Sequence, residues 1–249
     1  MSALFEFCLR MGDNTLILGH RVSEWCGHAP VVEEDIAMAN TALDLIGQTQ
    51  MWLGLAAEVE GKGRSADDLA YLRDAAGFRN VLLVERPNGD IGQTLMRQFL
   101  FDAWHVEMLD ALRASTDQRV ADIAAKALRE VEYHVERSGD LVIRLGDGTA
   151  ESHTRMQKAL DDLWTWAKEA MVGDTIDAEL LTMGVAPDLS TIGEKWNARV
   201  GAVLAQATLT PPDNDYAHVG GKTGRHTEHL GHLLATMQFL QRAYPGAVW

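Results

Sequence analysis

The stretch QFLFDAWH, residues 98–105, sets Asp102 three positions before His105 in an apolar run. On a helix that spacing brings carboxylate and imidazole onto adjoining turns of one face. Such a pair is half of a ligand set for a dinuclear iron centre, in which carboxylates bridge the metals and histidines cap them. A full set takes Glu-x-x-His from two helices and one inward carboxylate from each of two others. Asp44, in the row Asn40, Asp44 and Gln48, can be a single carboxylate, or part of a hydrogen-bonded polar seam. Glu130 and His134 lie i, i+4 at the edge of a stripe running from Val120 to Val142, and can approach a metal or simply each other. Asp102 falls within the stripe Leu95, Phe99, Val106, Leu109, where an ionisable group needs a partner. His105 stands about 60° from that stripe at roughly 100° per residue.

The remaining helix of such a set decides between metal and protein as that partner. Its stripe is Met156, Leu160, Leu163, Ala167 and Met171, with no charged member. Asp161 and Asp162 stand about 100° away, and neither is followed by histidine at i+3. The second carboxylate-x-x-His is missing. As a dinuclear set Asp44, Asp102, His105, Glu130 and His134 are therefore incomplete, and structural contacts within the core, such as Asp–His or Asp–Arg for Asp102, are their plain alternative.

Two further constellations lie near the C-terminus. His226, His229 and His232 recur at i, i+3 and i+6, a spacing open to zinc, but without HExxH order or an obvious further ligand. Exposed or interface histidines are the preferred reading. Just before them, Gly220-Gly221-Lys222-Thr223-Gly224-Arg225 resembles a phosphate loop, yet a Walker A motif needs glycine where Tyr216 stands, and a preceding strand. What survives is a helix N-terminus with Lys222 and Arg225 able to hold an anion, or else a flexible loop with solvated charges. Trp25, Trp52, Trp104, Trp164, Trp166, Trp196 and Trp249 suit core packing or a permanent interface. No G-x-S-x-G supports a serine nucleophile.

The elements that must position these groups are helices. Breakers leave short helices over 3–12 and 15–26 separated by GDN, and long ones over 31–60, 91–114, 117–145 and 151–172, followed by a helical extension over 176–249. No alternation lasts long enough for a sheet. Long helices with short connections predict an all-α fold: one antiparallel four-helix bundle over 1–249, with additional N- and C-terminal helices. A hydrophobic content of 47% is ample for its core, and a net charge of −14 argues against nucleic acid as a partner. Two cysteines suggest free thiols in a reducing compartment. With neither a signal-peptide pattern nor a membrane span, the expected location is cytoplasmic.

Several segments together resemble one family. They are LRMGDN at 9–14, SEWCGHAP at 23–30, ALDLIGQ at 42–48, NVLLVERPNGD at 80–90, FDAWH at 101–105, GGKTGRHTEHLG at 220–231, and MQFLQR followed by Trp249. In this wording and order the chain is similar to the PaaC-type subunits of bacterial phenylacetyl-CoA epoxidase (ring-1,2-phenylacetyl-CoA oxygenase). The resemblance implies a ferritin-like fold and a structural role in phenylacetate catabolism. A sibling subunit is then expected to carry the di-iron centre and epoxidise the aromatic ring of the CoA thioester with O₂, while a reductase draws electrons from NADPH. Asp44, Asp102, His105, Glu130 and His134 are then vestigial ligand-like core groups, with no catalytic residue and no metal in this chain. It implies a hetero-oligomer with that catalytic subunit, with a homodimer open for the isolated chain. Lys222, Arg225, His226 and His229 are candidates for CoA-phosphate or interface contacts. The alternatives are an autonomous di-iron oxidoreductase and an acyl-CoA-binding protein.

Overall fold

The computed structural model describes residues 2–247; Trp249, part of both the tryptophan set and the family resemblance, lies outside them. The helices are α1 (Ala3–Ser23), α2 (Val32–Glu60), α3 (Ala66–Tyr71), α4 (Leu82–Glu85), α5 (Ile91–Leu112) and α6 (Gln118–Gly146). They continue as α7 (Ala150–Ala167), α8 (Thr175–Thr182), α9 (Leu189–Gln206), α10 (Glu228–Met237) and α11 (Phe239–Ala243). There is no strand among the described residues, so the fold is all-α as the periodicity predicts. None of these helices is long and apolar enough to cross a membrane.

The chain divides into two compact units, one holding the residues up to Pro87 and those from Val219 on, the other Asn88–His218. The segment 176–249 is thus shared between them. Each unit is built on a long helix pair, α1 with α2 and α5 with α6. The short connections over 24–31 and 113–117 make both pairs antiparallel. Two such pairs separated by a long connection in sequence are the helix order of ferritin-like folds.

In the first unit α1 runs unbroken through Gly12-Asp13-Asn14, where the sequence predicts an interruption. All three residues are buried and work outward from the helix. A Cβ on Gly12 would stand 2.6 Å from Leu53 Cδ2, so glycine is what lets α2 come this close. The Asp13 carboxylate accepts from Arg73 Nη1 at 3.0 Å and from the Arg79 backbone N–H at 2.8 Å, and also pairs with Arg73 Nη2. Asn14 Oδ1 accepts from the Val81 N–H at 2.7 Å. Short polar side chains disrupt helices by competing for their own backbone; here both are engaged by the segment 73–81 instead. The hydroxyls of Thr15 and Thr49 meet at 2.8 Å across the α1/α2 seam. Gly61, in the left-handed conformation at φ 66°, closes α2.

The second unit is organised around α5, which packs against α6, α7 and α9. The α6 stripe Val120, Ala124, Ala127, Val131, Val135 and Val142 is buried, and α7 buries Met156, Leu160, Leu163 and Ala167 with no charged residue among them. Each such Leu or Val contributes roughly 1.5–3 kcal/mol on burial. Trp196 of α9 donates its indole N–H to the Leu100 carbonyl at 2.9 Å and packs 5.5 Å from Trp164, locking α9 and α7 onto α5. Asp161 and Asp162 are exposed and held by Gln157 and Lys158.

Candidate functional site

Of the five ligand-like residues, Asp102, His105, Glu130 and His134 lie in the second unit, on α5 and α6, and Asp44 lies on α2 in the first. Asp102 and His105 are fully buried and His134 nearly so, whereas Asp44 and Glu130 are half-buried. The spacing on α5 therefore does bring carboxylate and imidazole into the interior together.

The donors around Asp102 define its chemistry. Gln98 Nε2, one turn back on α5, donates to Oδ1 at 2.7 Å, and Ser138 Oγ of α6 donates to Oδ2 at 2.9 Å. Both carboxylate oxygens are thus bound by protein. Burial pushes the pKa of Asp102 up from 3.8 to about 6, and the nearby His134 and the two donors draw it back only in part. His105 behaves oppositely: burial, then the charge of His134, lowers its pKa to about 3, so its ring is neutral at ordinary pH. That ring lies 5.1 Å from Phe101 and stacks at 15° on Trp104. Neither ring nitrogen has a hydrogen-bond partner among the described protein atoms.

A dinuclear centre fits these residues poorly. Its bridging carboxylate would have to release donors from Gln98 and Ser138, and α7, expected from the sequence as the fourth bundle helix, lies outside the two long helix pairs and offers only an apolar face. Among the described residues no group of three or more His, Cys, Asp or Glu side chains is disposed to hold a metal ion. The arrangement can instead store a proton on Asp102 and tie α5 to α6 through Ser138.

A second polar cluster, in the first unit, is not visible as a unit in the sequence. Glu85 is fully buried at the end of α4. It accepts from the Thr227 N–H at 2.6 Å, from Asn80 Nδ2 at 3.0 Å, and meets His226 Nδ1 at 2.8 Å. His226 Nε2 lies 3.1 Å from the Phe78 carbonyl. His226 is therefore a buried fastener, where the sequence favours an exposed or interface histidine; His229 is half-buried and His232 exposed. The only forewarning is a glutamate inside the apolar run VLLVE, which must find partners if the run is buried.

The glycines of the phosphate-loop look-alike have the same structural purpose. A Cβ on Gly221 would stand 2.1 Å from the Asn80 carbonyl oxygen, and one on Gly224, at φ 83°, 2.4 Å from the Ala76 carbonyl oxygen. The loop thus presses its backbone onto residues 76–82, which side chains would forbid. Lys222 is buried in it and Arg225 is exposed.

These clusters account for part of the wording behind the resemblance: Asp13 and Asn14 hold 73–81, and Glu85, itself bound by Asn80, holds 226–227. A family model described as phenylacetic acid catabolic protein matches residues 1–249. The chain belongs to that family. Within the phenylacetic acid catabolic proteins it is 46% identical, over 249 residues and the whole length of both chains, to one of the subunits of 1,2-phenylacetyl-CoA epoxidase from Escherichia coli (strain K12).

Proposed function

We propose that this chain is a non-catalytic structural subunit of a phenylacetyl-CoA epoxidase, binding and stabilising the di-iron catalytic subunit in aerobic phenylacetate catabolism. The observation that carries the reading is the closed Asp102 carboxylate, with Gln98 on one oxygen and Ser138 on the other. A carboxylate so engaged supports packing between α5 and α6 rather than metal chemistry. The full-length relative, itself named as an epoxidase subunit, supports membership of a multi-subunit enzyme. In this reading iron resides in the catalytic sibling, NADPH serves the reductase, and this chain contributes surface.

That surface includes an unusual face of α2. Val32, Ile36, Leu43 and Ile46 are 69%, 56%, 67% and 41% exposed and fall on one side of the helix. Contiguous exposed apolar residues of this kind mark protein interfaces. They are the proposed contact with the catalytic subunit.

The test is reconstitution. Epoxidase assembled with Asp102→Asn or His105→Phe in this chain is expected to keep its kcat within about twofold, because neither group meets the reacting atoms. A loss of about a hundredfold with normal assembly would overturn the reading.

A further inference from the structure

The chain leaves the second unit through residues 210–218, which lie along α7 with no helix or strand of their own. Just upstream, α9 ends in a Schellman motif: the Leu209 N–H reaches the Leu204 carbonyl at 3.0 Å and the Thr208 N–H the Ala205 carbonyl at 3.3 Å. The left-handed position of that motif, at φ 57°, is held by Thr208, a β-branched residue strained where glycine is usual. Leu209 is buried and anchors the chain. Beyond it, none of residues 210–218 is buried.

What holds this strap is a set of polar and aromatic contacts with α7 and its C-cap, Lys168. At one end the Gln157 amide pairs with the Thr210 backbone, Nε2 donating to the carbonyl at 2.8 Å and Oε1 accepting from the N–H at 2.9 Å. At the other end the His218 N–H donates to the Thr165 carbonyl at 3.0 Å, and the His218 ring stacks on Trp166 with centroids 3.8 Å apart at 12°. Between the ends, Lys168 donates to the Asn214 carbonyl and lies 3.6 Å from the Asp215 carboxylate, which leaves its side chain only 19% exposed.

The strap is also bonded to itself. The Asn214 N–H donates to the Pro212 carbonyl at 2.9 Å, and the Tyr216 N–H to Asn214 Oδ1 at 2.8 Å. The Tyr216 ring stands edge-on to His218 at 4.9 Å, and Pro211 and Pro212 fix their own φ. These links carry a release at one end to the other. By contrast, α7 is fixed by Met156, Leu160, Leu163 and Ala167 in the core. A segment without buried apolar side chains opens well below the free energy of global unfolding, and an internally linked one opens as a unit.

We infer that residues 210–218 form a displaceable strap that swings off α7 as one piece while the rest of the second unit stays folded, baring Trp166 and the Lys168 ammonium. In the closed form the strap masks this aromatic and cationic patch, with the His218 ring on the indole and the Asn214 carbonyl on the ammonium. The inference concerns α7 alone, and it stands or falls separately from the proposed contact through α2.

The experiment perturbs one end of the strap and reads the other. Gln157 and Lys168 are about 16 Å apart along the helix axis. The full-length chain and its Gln157→Ala variant are pulsed with an amine-acetylating reagent, and acetylation of each lysine is followed by mass spectrometry. Amide hydrogen exchange in α5 reports the folded core in parallel. Lys168 is expected to react about fivefold or more faster in the variant, while the exposed Lys126 and the α5 amides change by less than about twofold. Trp166→Ala is the converse test, expected to speed exchange of the Thr210 amide by a similar factor with α5 again unchanged. An unaltered Lys168 rate, with faster exchange at Thr210 alone, would show that the two ends open independently and overturn the inference. Faster exchange throughout α5 would show loosening of the whole unit and equally overturn it.

Discussion

Replacing Asp102 by Asn tests the buried cluster through its pH dependence. The carboxyl titrates at about 6 in the folded protein against an ordinary value of 3.8. The folded state therefore holds this proton more tightly than the unfolded chain does. Between about pH 4 and pH 6 it binds more protons, and the contribution of Asp102 to stability falls as pH rises through that window. Above it, the difference between the two values corresponds to about 3 kcal/mol of cost for keeping the ionised group inside. Asn removes that ionisation and keeps an acceptor for Gln98. Its amide would face Ser138 Oγ, which can then accept, its own proton turning to the Val135 carbonyl 3.5 Å away. Asp102→Asn is thus expected to be about as stable as the parent at pH 4 and about 2–3 kcal/mol more stable at pH 8. Urea unfolding followed by circular dichroism at half-unit pH steps gives the difference directly. A variant less stable than the parent at pH 8, or a difference that does not change with pH, would refute the reasoning.

The other predictions probe the remaining clusters and the α2 face. For His105 the sign reverses: its folded pKa is lowered to about 3, so the unfolded chain takes up a proton below about 6.5 and stability is lost as pH falls through that window. His105→Phe should therefore gain about 2 kcal/mol more over the parent at pH 5 than at pH 8, measured by the same titration. Gly221→Ala should cost about 3 kcal/mol or more, because its Cβ meets a backbone oxygen, and calorimetry should show Tm down by about 10 °C. Gly231→Ala, in α10 with no atom within 4 Å of its Cβ, should instead raise stability by about 0.5–1 kcal/mol. His226→Ala strands Glu85 without its imidazole and should cost about 3 kcal/mol in urea unfolding. Ile36→Asp with Leu43→Asp should abolish co-elution with the catalytic subunit on gel filtration while leaving Tm unchanged; undiminished co-elution would remove α2 from the interface.

Much of the fold is readable because its cues are local. The apolar stripes of α6 and α7 follow directly from 3.6-residue periodicity, and Gly61 ends α2 as glycine should. The interruption predicted at Gly12-Asp13-Asn14 shows where local cues run out. Those residue types favour a break only while their side chains compete with their own backbone, and here partners some sixty residues away engage them. Asp102 is legible as a buried acid in need of a partner, and the buried face of α7 is legible as apolar. Ser138 as that partner is not, since it sits in the α6 stripe as one small residue among valines and alanines. The Glu85–His226 fastener is hidden for the same reason, its members being 141 residues apart. The resemblance locates both segments without saying that they touch.

Elemental analysis of the full-length chain, purified alone from iron-replete cells and again after separation from its catalytic partner, bears most directly on the role proposed for it. Substoichiometric iron on this chain in both preparations, with the iron following the partner, is the expected result. About two irons per chain, with the absorption of a carboxylate-bridged cluster that Asp102→Asn abolishes, would contradict it.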